Sequence, residues 1–521
     1  MTSKVIIKKN SYYDSVTLMS LSGKMKQLEG VEEAIVSMAT VMNKELLENV
    51  GMLTEEAKNS SESDLIIAVK TESDELLEEL LQTIDEQLNA KKTSKKKGGR
   101  DVKTLKSALD EIPDANVAVI SVPGEFAARE AKQALKQGLH IMLFSDNVSI
   151  EEEKSLKEYA AKNDLFVMGP DCGTAIINQA GLCFANEVAK GSIGLVGASG
   201  TGLQEVSVQI NRLGSGISQA IGTGGRDLHE TIGGIMMLQG FRALQEDENT
   251  NVIVLISKPP ALSVQEKIFA EVRNSTKPVV ICFIDGDAEE VEKTGAAFAP
   301  TLHEAAKLAV KLENKSLTLP DEGSEKLQAW ADEAKAKMQS SQKYVRGLFC
   351  GGTLTSEALS ILRRYTNELK SNVAKKKEEK LKDVSMSIGN TLLDLGDDAF
   401  TVGKPHPMIE PSLRNSRLLQ EAADPETAVL LLDFELGYGS HEDPVGETYD
   451  TIKKAQKLAE EDNRYLPIIA YILGTSKDKQ VYAEQEKRLL ELGVYVTVSN
   501  EEATVLAAMF LDKEGNNESV I

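Results

Sequence analysis

Two stretches of this sequence share one plan, and that plan narrows the fold more than any other feature. In "SIGLVGASGTGLQEVSVQINRLG", Ser192 to Gly214, four apolar-leaning residues lead into a glycine-rich turn and then into helical apolar spacing. "RGLFCGGTLTSEALSILRR", from Arg346, repeats the plan with a Gly-Gly-Thr turn. The segments that follow also correspond: "AIGTGGRD" with "TLLDLGDD", "NVIVLISKPP" with "AVLLLDFELGYG", "KPVVICFIDGD" with "LPIIAYILGTS", and "AFAPTLHEAAKLAV" with "VYVTVSNEEATVLAA". Segments in one order, twice, indicate a duplication. A strand that enters a helix through glycines leaves unpaired N–H groups at the helix start, where the helix dipole favours an anion.

The rest of the chain sorts around this repeat. Residues 1–90 read as a small α/β unit, with "VIIKKN", "VEEAIVSMA" and "DLIIAVKT" as strands, and "KKTSKKKGGR" (91–100) as a linker. Residues 101–187 alternate strands ("ANVAVISVP", "HIMLFSD", "LFVMGPD") with helices, the second opened by a Ser149–Glu152 capping box. This is a Rossmann-like pattern, that of a parallel, doubly wound sheet. Residues 188–320 and 345–521 are the two copies of the repeat, joined by a charged helical connector near 322–340, and each reads as a flavodoxin-like unit. Thr301–Glu304 and Ser499–Glu502 are further capping boxes. The expected class is therefore α/β, with several doubly wound parallel-sheet domains whose ligand edge is the carboxyl end of the strands. The charged run "AKKKEEKLKD" (374–383) reads as a solvated loop.

Composition excludes several roles. The 521 residues carry a formal net charge of −22, which argues against nucleic acid or an anionic membrane as the main partner but leaves room for a small anion in a local cradle. No signal-like or membrane-length apolar segment is present, and a cytoplasmic protein is expected. Cys172, Cys183, Cys282 and Cys350 are scattered, as reduced thiols are.

Candidate residues sit in the turns. Ser199, Gly200, Thr201 and Gly202 form one cradle; Gly351, Gly352, Thr353 and Thr355 form the other. Neither is a nucleotide P-loop or a dinucleotide fingerprint, so spacing alone leaves a phosphate cradle and a plain capping turn both open. Lys258 in "SKPP" either neutralises a phosphate or is solvated. Arg226 in "GTGGRD" has the planar fork that suits phosphate or carboxylate. Asp397, Asp398 and His406, with Asp433 and Glu435, do acid–base or cation-binding work or lie in solvated loops. Gln204 and Glu205 read as helix surface. His140, His229, His303 and His441 lack ligand spacing, and no metal is expected.

From about Asn116 to Leu312, "SVPGEF", "FSDN", "GPDCG", "GASGTGLQE", "GTGGRD" and "VIVLISKPP" resemble the α subunit of succinyl-CoA synthetase. Residues 345–510 resemble its other ligase-type domain. The whole chain, including "IKKNSYYDSVTLMSLS", "DLGDDAFTVGKPHPMIEP" and "LRN", is similar to the FdrA family. The resemblance implies that the turn at Ser199–Thr201 faces a phosphate. Where the synthetases carry a phosphohistidine, this chain has Thr294, and Lys258 replaces the supporting glutamate, which favours a free anion over a phosphoenzyme. Val122, Pro123, Asn147 and Asp171 match positions of a CoA-type site, so CoA is the one cofactor left open. No ATP-grasp domain has a counterpart, which implies that the chain alone does not use ATP. The family further implies carbamoyl transfer, carbamoyl phosphate plus oxamate giving oxalurate plus phosphate, in allantoin breakdown, with companion subunits or self-association. A CoA-ligase subunit with a separate ATP-grasp partner, and a non-catalytic metabolite-sensing scaffold, are the alternatives.

Overall fold

The computed structural model describes residues 2–511 except 10, 12, 14, 27, 29, 41, 42, 45, 46, 49, 62, 95–101, 103, 318–322 and 402–404. The chain separates into two compact units, one of residues 1–108 with 403–405 and one of residues 109–402 with 406–521.

In the first unit β1 (Thr2–Lys8), β2 (Val31–Met38) and β3 (Leu65–Thr71) form a sheet in the order β1-β3-β2. The expected α/β unit is present, but its pairings are antiparallel. β3 is apolar almost throughout because both of its faces are covered. Leu65, Ile67 and Val69 meet Leu77, Leu80 and Ile84 of the helix Asp74–Ser94, while Ile66 and Ala68 meet Leu47, Met52 and Ala57. Lys91 to Ser94 of the expected linker finish that helix; 95–100 lie outside the described residues.

The second unit begins with three parallel strands, β4 (Val117–Ile120), β5 (His140–Leu143) and β6 (Val167–Met168), linked by helices Gly124–Lys136 and Ile150–Lys162. Ser149 and Glu152 cap the latter reciprocally. A hairpin, β7 (Thr174–Ile177) and β8 (Ala180–Cys183), then joins the edge of the next sheet. That sheet adds β9 (Lys190–Gly197), β10 (Ile217–Gly222), β11 (Val252–Ser257), β12 (Val279–Phe283) and β13 (Ala297–Phe298), in the order β13-β12-β11-β9-β10-β7-β8. The last sheet holds β14 (Tyr344–Phe349), β15 (Leu369–Ser371), β16 (Asn390–Asp394), β17 (Thr427–Glu435), β18 (Ile468–Leu473) and β19 (Tyr495–Thr497), in the order β15-β16-β14-β17-β18-β19. From β9 through β11, β12 and β13, with β10 on the other side, the order matches that from β14 through β17, β18 and β19, with β16 on the other side. The duplication read from the sequence is therefore a duplication of topology. Beyond that the first sheet ends in the antiparallel hairpin and the second in parallel β15. β11 and β17 are buried along their whole length, as parallel strands covered by helices on both faces must be.

One apolar core runs through both copies. Leu203, Val206 and Ile210 of the helix Gly200–Arg212 share it with Phe349, Leu354 and Ala358 around the helix Gly352–Leu362. This packing overturns the reading of Gln204 and Glu205 as helix surface, since both are buried. Gln204 donates to Asn186 Oδ1 at 3.1 Å, and Glu205 accepts from Tyr471 and from Gln209, at 3.1 Å from the latter. A helix that looks amphipathic alone is covered on its polar side by the second copy. The run 374–383 is likewise only partly solvated: Glu379 is buried in a two-pronged pair with Arg363.

Candidate active site

The two glycine turns meet. Ser199 ends the turn after β9 and caps the Gly200 helix, its Oγ accepting from Gly202 N at 2.9 Å. The same Oγ lies 2.6 Å from Thr353 Oγ1, one residue into the Gly352 helix. Ser199 and Gly202 therefore satisfy each other, and the N–H groups left at this helix start are those of Gly200 and Thr201. The Gly352 helix has no side-chain cap at Gly351, so its opening N–H groups are free of one. A Cβ on Gly351 would stand 2.6 Å from Thr201 Cγ2, so glycine is what lets the two helix starts approach. Thr174 adds a buried hydroxyl with no partner among the described residues, 3.6 Å from where a Cβ of Gly200 would sit.

Beside the Gly352 turn are a cation and a carboxyl group. Lys258 follows β11, is half-buried, and has no ion pair among the described residues. A Cβ on Gly352 would run into the Asp394 carboxylate and lie 3.7 Å from Lys258 Nζ. Lys375 Nζ reaches Pro259 O at 3.5 Å, and burial, then the Lys258 charge, lowers its pKa. Asp394 closes β16, buried, with Oδ1 accepting from Gly396 N at 3.0 Å. Burial pushes its carboxyl up to about 7, opposed by Lys258 and by the Gly396 hydrogen bond and reinforced by Asp397 and Asp433. Sequence reasoning singled out Asp397 and Asp398 and missed Asp394. Its signal was a carboxylate closing an otherwise apolar strand, "TLLD", at the ligand edge.

His406 packs against Gly396, its ring 5.7 Å from that of Phe184. Burial brings its pKa down to about 4, so the imidazole is neutral at pH 7. Its Nδ1 accepts from Met408 N at 3.2 Å, which assigns the proton to Nε2.

The other expected residues have different occupations. Arg226 Nη2 binds Glu153 at 2.9 Å and Val148 O at 2.7 Å. Glu153 in turn shares Lys157 with Asp227 and Thr223 O, at 2.8 to 2.9 Å and wholly buried. "GGRD" therefore builds a packed ion network, and Arg226 serves it. Thr294 is buried, with its hydroxyl donating to Val291 O at 2.6 Å. Val122, Pro123, Asn147 and Asp171 line an exposed ledge past β4, β5 and β6. Asp171 is reached by solvent yet enclosed by protein, and desolvation followed by the Asp146 and Asp398 carboxylates pushes it up to about 6. Three carboxyl groups with one engaged arginine make an unfavourable seat for CoA phosphates.

Asp433 and Glu435 lie in no solvated loop. With Cys350 they place three buried ligand atoms within 4.8 Å of one another, but the Arg414 guanidinium occupies the cluster, 3.1 Å from both Cys350 Sγ and Asp433 Oδ1. A buried cation already supplies the positive charge there.

Three family profiles match the chain: AllF, heavy metal-associated domain, over residues 1–104; CoA binding domain, over 188–284; and CoA-ligase, over 348–510. Residues 1–104 contain neither cysteine nor histidine, so no thiolate or imidazole ligand is available there. The other two profiles fall on the two copies of the repeat. Among curated proteins, "Uncharacterized protein YahF" of Escherichia coli K12 is 49% identical over 98% of this chain and 99% of that protein. Succinate–CoA ligase [ADP-forming] subunit alpha of Methanothermobacter thermautotrophicus is 26% identical over 36% of this chain and 63% of that subunit. Among solved structures, PH0766 from Pyrococcus horikoshii OT3 aligns over 80% of this chain and 87% of that one, with 15% identity and a TM-score of 0.35. The duplicated sheets and their facing turns define an α/β protein of the CoA-ligase type. Within that class the chain belongs to the FdrA family, together with YahF.

Proposed function

We propose that this chain is a subunit of an enzyme that transfers an acyl-type group between a phosphate and an acceptor, holding the phosphate between the starts of the Gly200 and Gly352 helices and forming no phosphohistidine. The observation that carries this reading is the 2.6 Å contact of Ser199 Oγ with Thr353 Oγ1. It brings the starts of the two helices together, with Lys258 near the Gly352 turn, which supports a shared anion cradle. Preorganised donors and a cation stabilise charge as it develops on a departing phosphate, and cost no reorganisation when it does. The engaged hydroxyl of Thr294 supports a free rather than a covalent phosphate.

The substrate reading is carbamoyl transfer. The nitrogen of oxamate bonds to the carbamoyl carbon of carbamoyl phosphate, the carbon–oxygen bond to phosphate breaks, and the proton lost by nitrogen leaves on phosphate. The products are oxalurate and hydrogen phosphate. A second reading, a CoA-ligase subunit with a separate nucleotide-activating chain, is favoured by the CoA binding profile over 188–284 and by the succinate–CoA ligase relatives. Both readings make the chain one part of an assembly with companion subunits.

The test is an assay of the full chain with its companion subunits. Loss of oxalurate that depends on inorganic phosphate supports carbamoyl transfer. Turnover that needs ATP and CoA, with heat released on titrating CoA into the chain, supports the second reading. Neither activity, with no binding of phosphate, contradicts both.

A further inference from the structure

We propose that Asp394 is a proton-carrying ligand of this anion site: its carboxylic acid form donates a hydrogen bond to a tetrahedral dianion at the start of the Gly352 helix and is the proton source for the departing phosphate. The inference rests on the anion site proposed above and adds to it a residue and a protonation state. Three observations carry it. Asp394 is the last residue of β16, and so lies at the carboxyl edge where the Gly352 helix begins. A Cβ on Gly352 would collide with its Oδ2, so the carboxyl group abuts the first residue of that helix. Its Oδ1 accepts from Gly396 N at 3.0 Å, which orients the carboxyl group, and its backbone N donates to Asn372 Oδ1 at 3.0 Å.

An ionised carboxylate in this position repels an incoming dianion, whereas a protonated one donates to it. The charged and titratable groups around Asp394 decide between the two states. Lys258, from the end of β11, favours ionisation, while Asp397 beyond β16 and Asp433 of β17 oppose it. Lys375 lies close enough to Lys258 for the two charges to interact, and neutral His406 adjoins Gly396. With burial as the largest influence, the carboxyl titrates at about 7, where a group can both hold and release a proton. In transfer, the Asp394 proton passes to the phosphate oxygen released from carbon, and the resulting carboxylate takes up the proton shed by the acceptor nitrogen. Atoms and charge balance without a further reactant.

Sulfate is the probe, because it stays a dianion across the range in which Asp394 titrates. The full chain is titrated with sulfate by calorimetry from pH 6 to 8.5, beside Asp394→Asn and Asp394→Ser, with thermal melting as the check that each variant is folded. The wild type is expected to lose sulfate affinity above pH 7, approaching tenfold per pH unit, while both variants bind at least as tightly at pH 8.5 and vary less than threefold across the range. A variant whose affinity falls in parallel with the wild type overturns the assignment of Asp394 and leaves the anion site standing. A wild type that binds no sulfate at pH 6 removes the anion site itself, and the proposal with it.

Discussion

The hydroxyls of Ser199 and Thr353, separated by 154 residues, lie 2.6 Å apart and are buried where the two copies of the fold touch. Ser199 caps one helix and Thr353 lies in the first turn of the other, so two positive helix ends are brought together. That arrangement is electrostatically uphill alone, and an anion between the ends relieves it. Phosphate is therefore expected to raise the melting temperature of the full chain in a concentration-dependent way. Ser199→Ala should lower the protein's own stability by about 1 kcal/mol through the lost cap and reduce the shift that phosphate gives. Differential scanning calorimetry with and without phosphate measures both.

Gly352→Ala is the sharper probe of the site. The added methyl lands on the Asp394 carboxylate, so phosphate affinity should fall at least tenfold. A Cβ at Gly225 meets nothing within 4 Å, and Gly225→Ala should bind phosphate as the wild type does. Equal losses in the two variants, read by calorimetric titration, would count against the location of the site.

Lys157, Glu153 and Asp227 are wholly buried, and their role is structural. Lys157→Met leaves two carboxylates in the interior with only Arg226 nearby, and removing one member of a buried ionic network costs about 3–5 kcal/mol. The midpoint of urea unfolding should fall accordingly, while phosphate affinity of the folded fraction stays unchanged.

Much of this architecture was legible in the sequence because it is written in period and order. Val252–Ile256 and Ala428–Leu432 are apolar throughout, and the glycine turns recur in register. Ser149, Thr301 and Ser499 all cap the helices expected of them. What escaped was relational. Nothing local in "LQEVSVQ" says that Gln204 and Glu205 will be covered by the second copy, and nothing in "GGRD" says that Arg226 is taken by Glu153, far upstream in the chain. The two cradles were each visible as a turn, but their meeting depends on how the copies pack. Asp394 was missed because an aspartate at the end of a strand looks like the start of a loop until its neighbours are known.

The contact between the copies also predicts a pH effect on stability. Glu357 accepts from Leu302 N at 2.6 Å and Asn500 Nδ2 at 2.7 Å, and burial raises its carboxyl from 4.5 to about 8. The folded state thus holds a proton that the unfolded chain has lost between those values. Glu357 contributes its full stabilisation below pH 4.5, and that contribution declines as the pH rises to about 8. Each pH unit between the two values is worth ~1.4 kcal/mol, so the whole effect amounts to a few kcal/mol. Glu357→Gln should flatten this part of the pH–stability curve and be the more stable form at pH 8.5, as measured by denaturant unfolding at each pH.

The most direct measurement is a crystal structure of the full chain soaked with inorganic phosphate. The expected result is a free phosphate whose oxygens accept from backbone N–H groups of the Gly200 and Gly352 turns and from Lys258 Nζ. A phosphoryl group bonded to a side chain, at His406 or elsewhere, or no phosphate between those turns at saturating concentration, would contradict it.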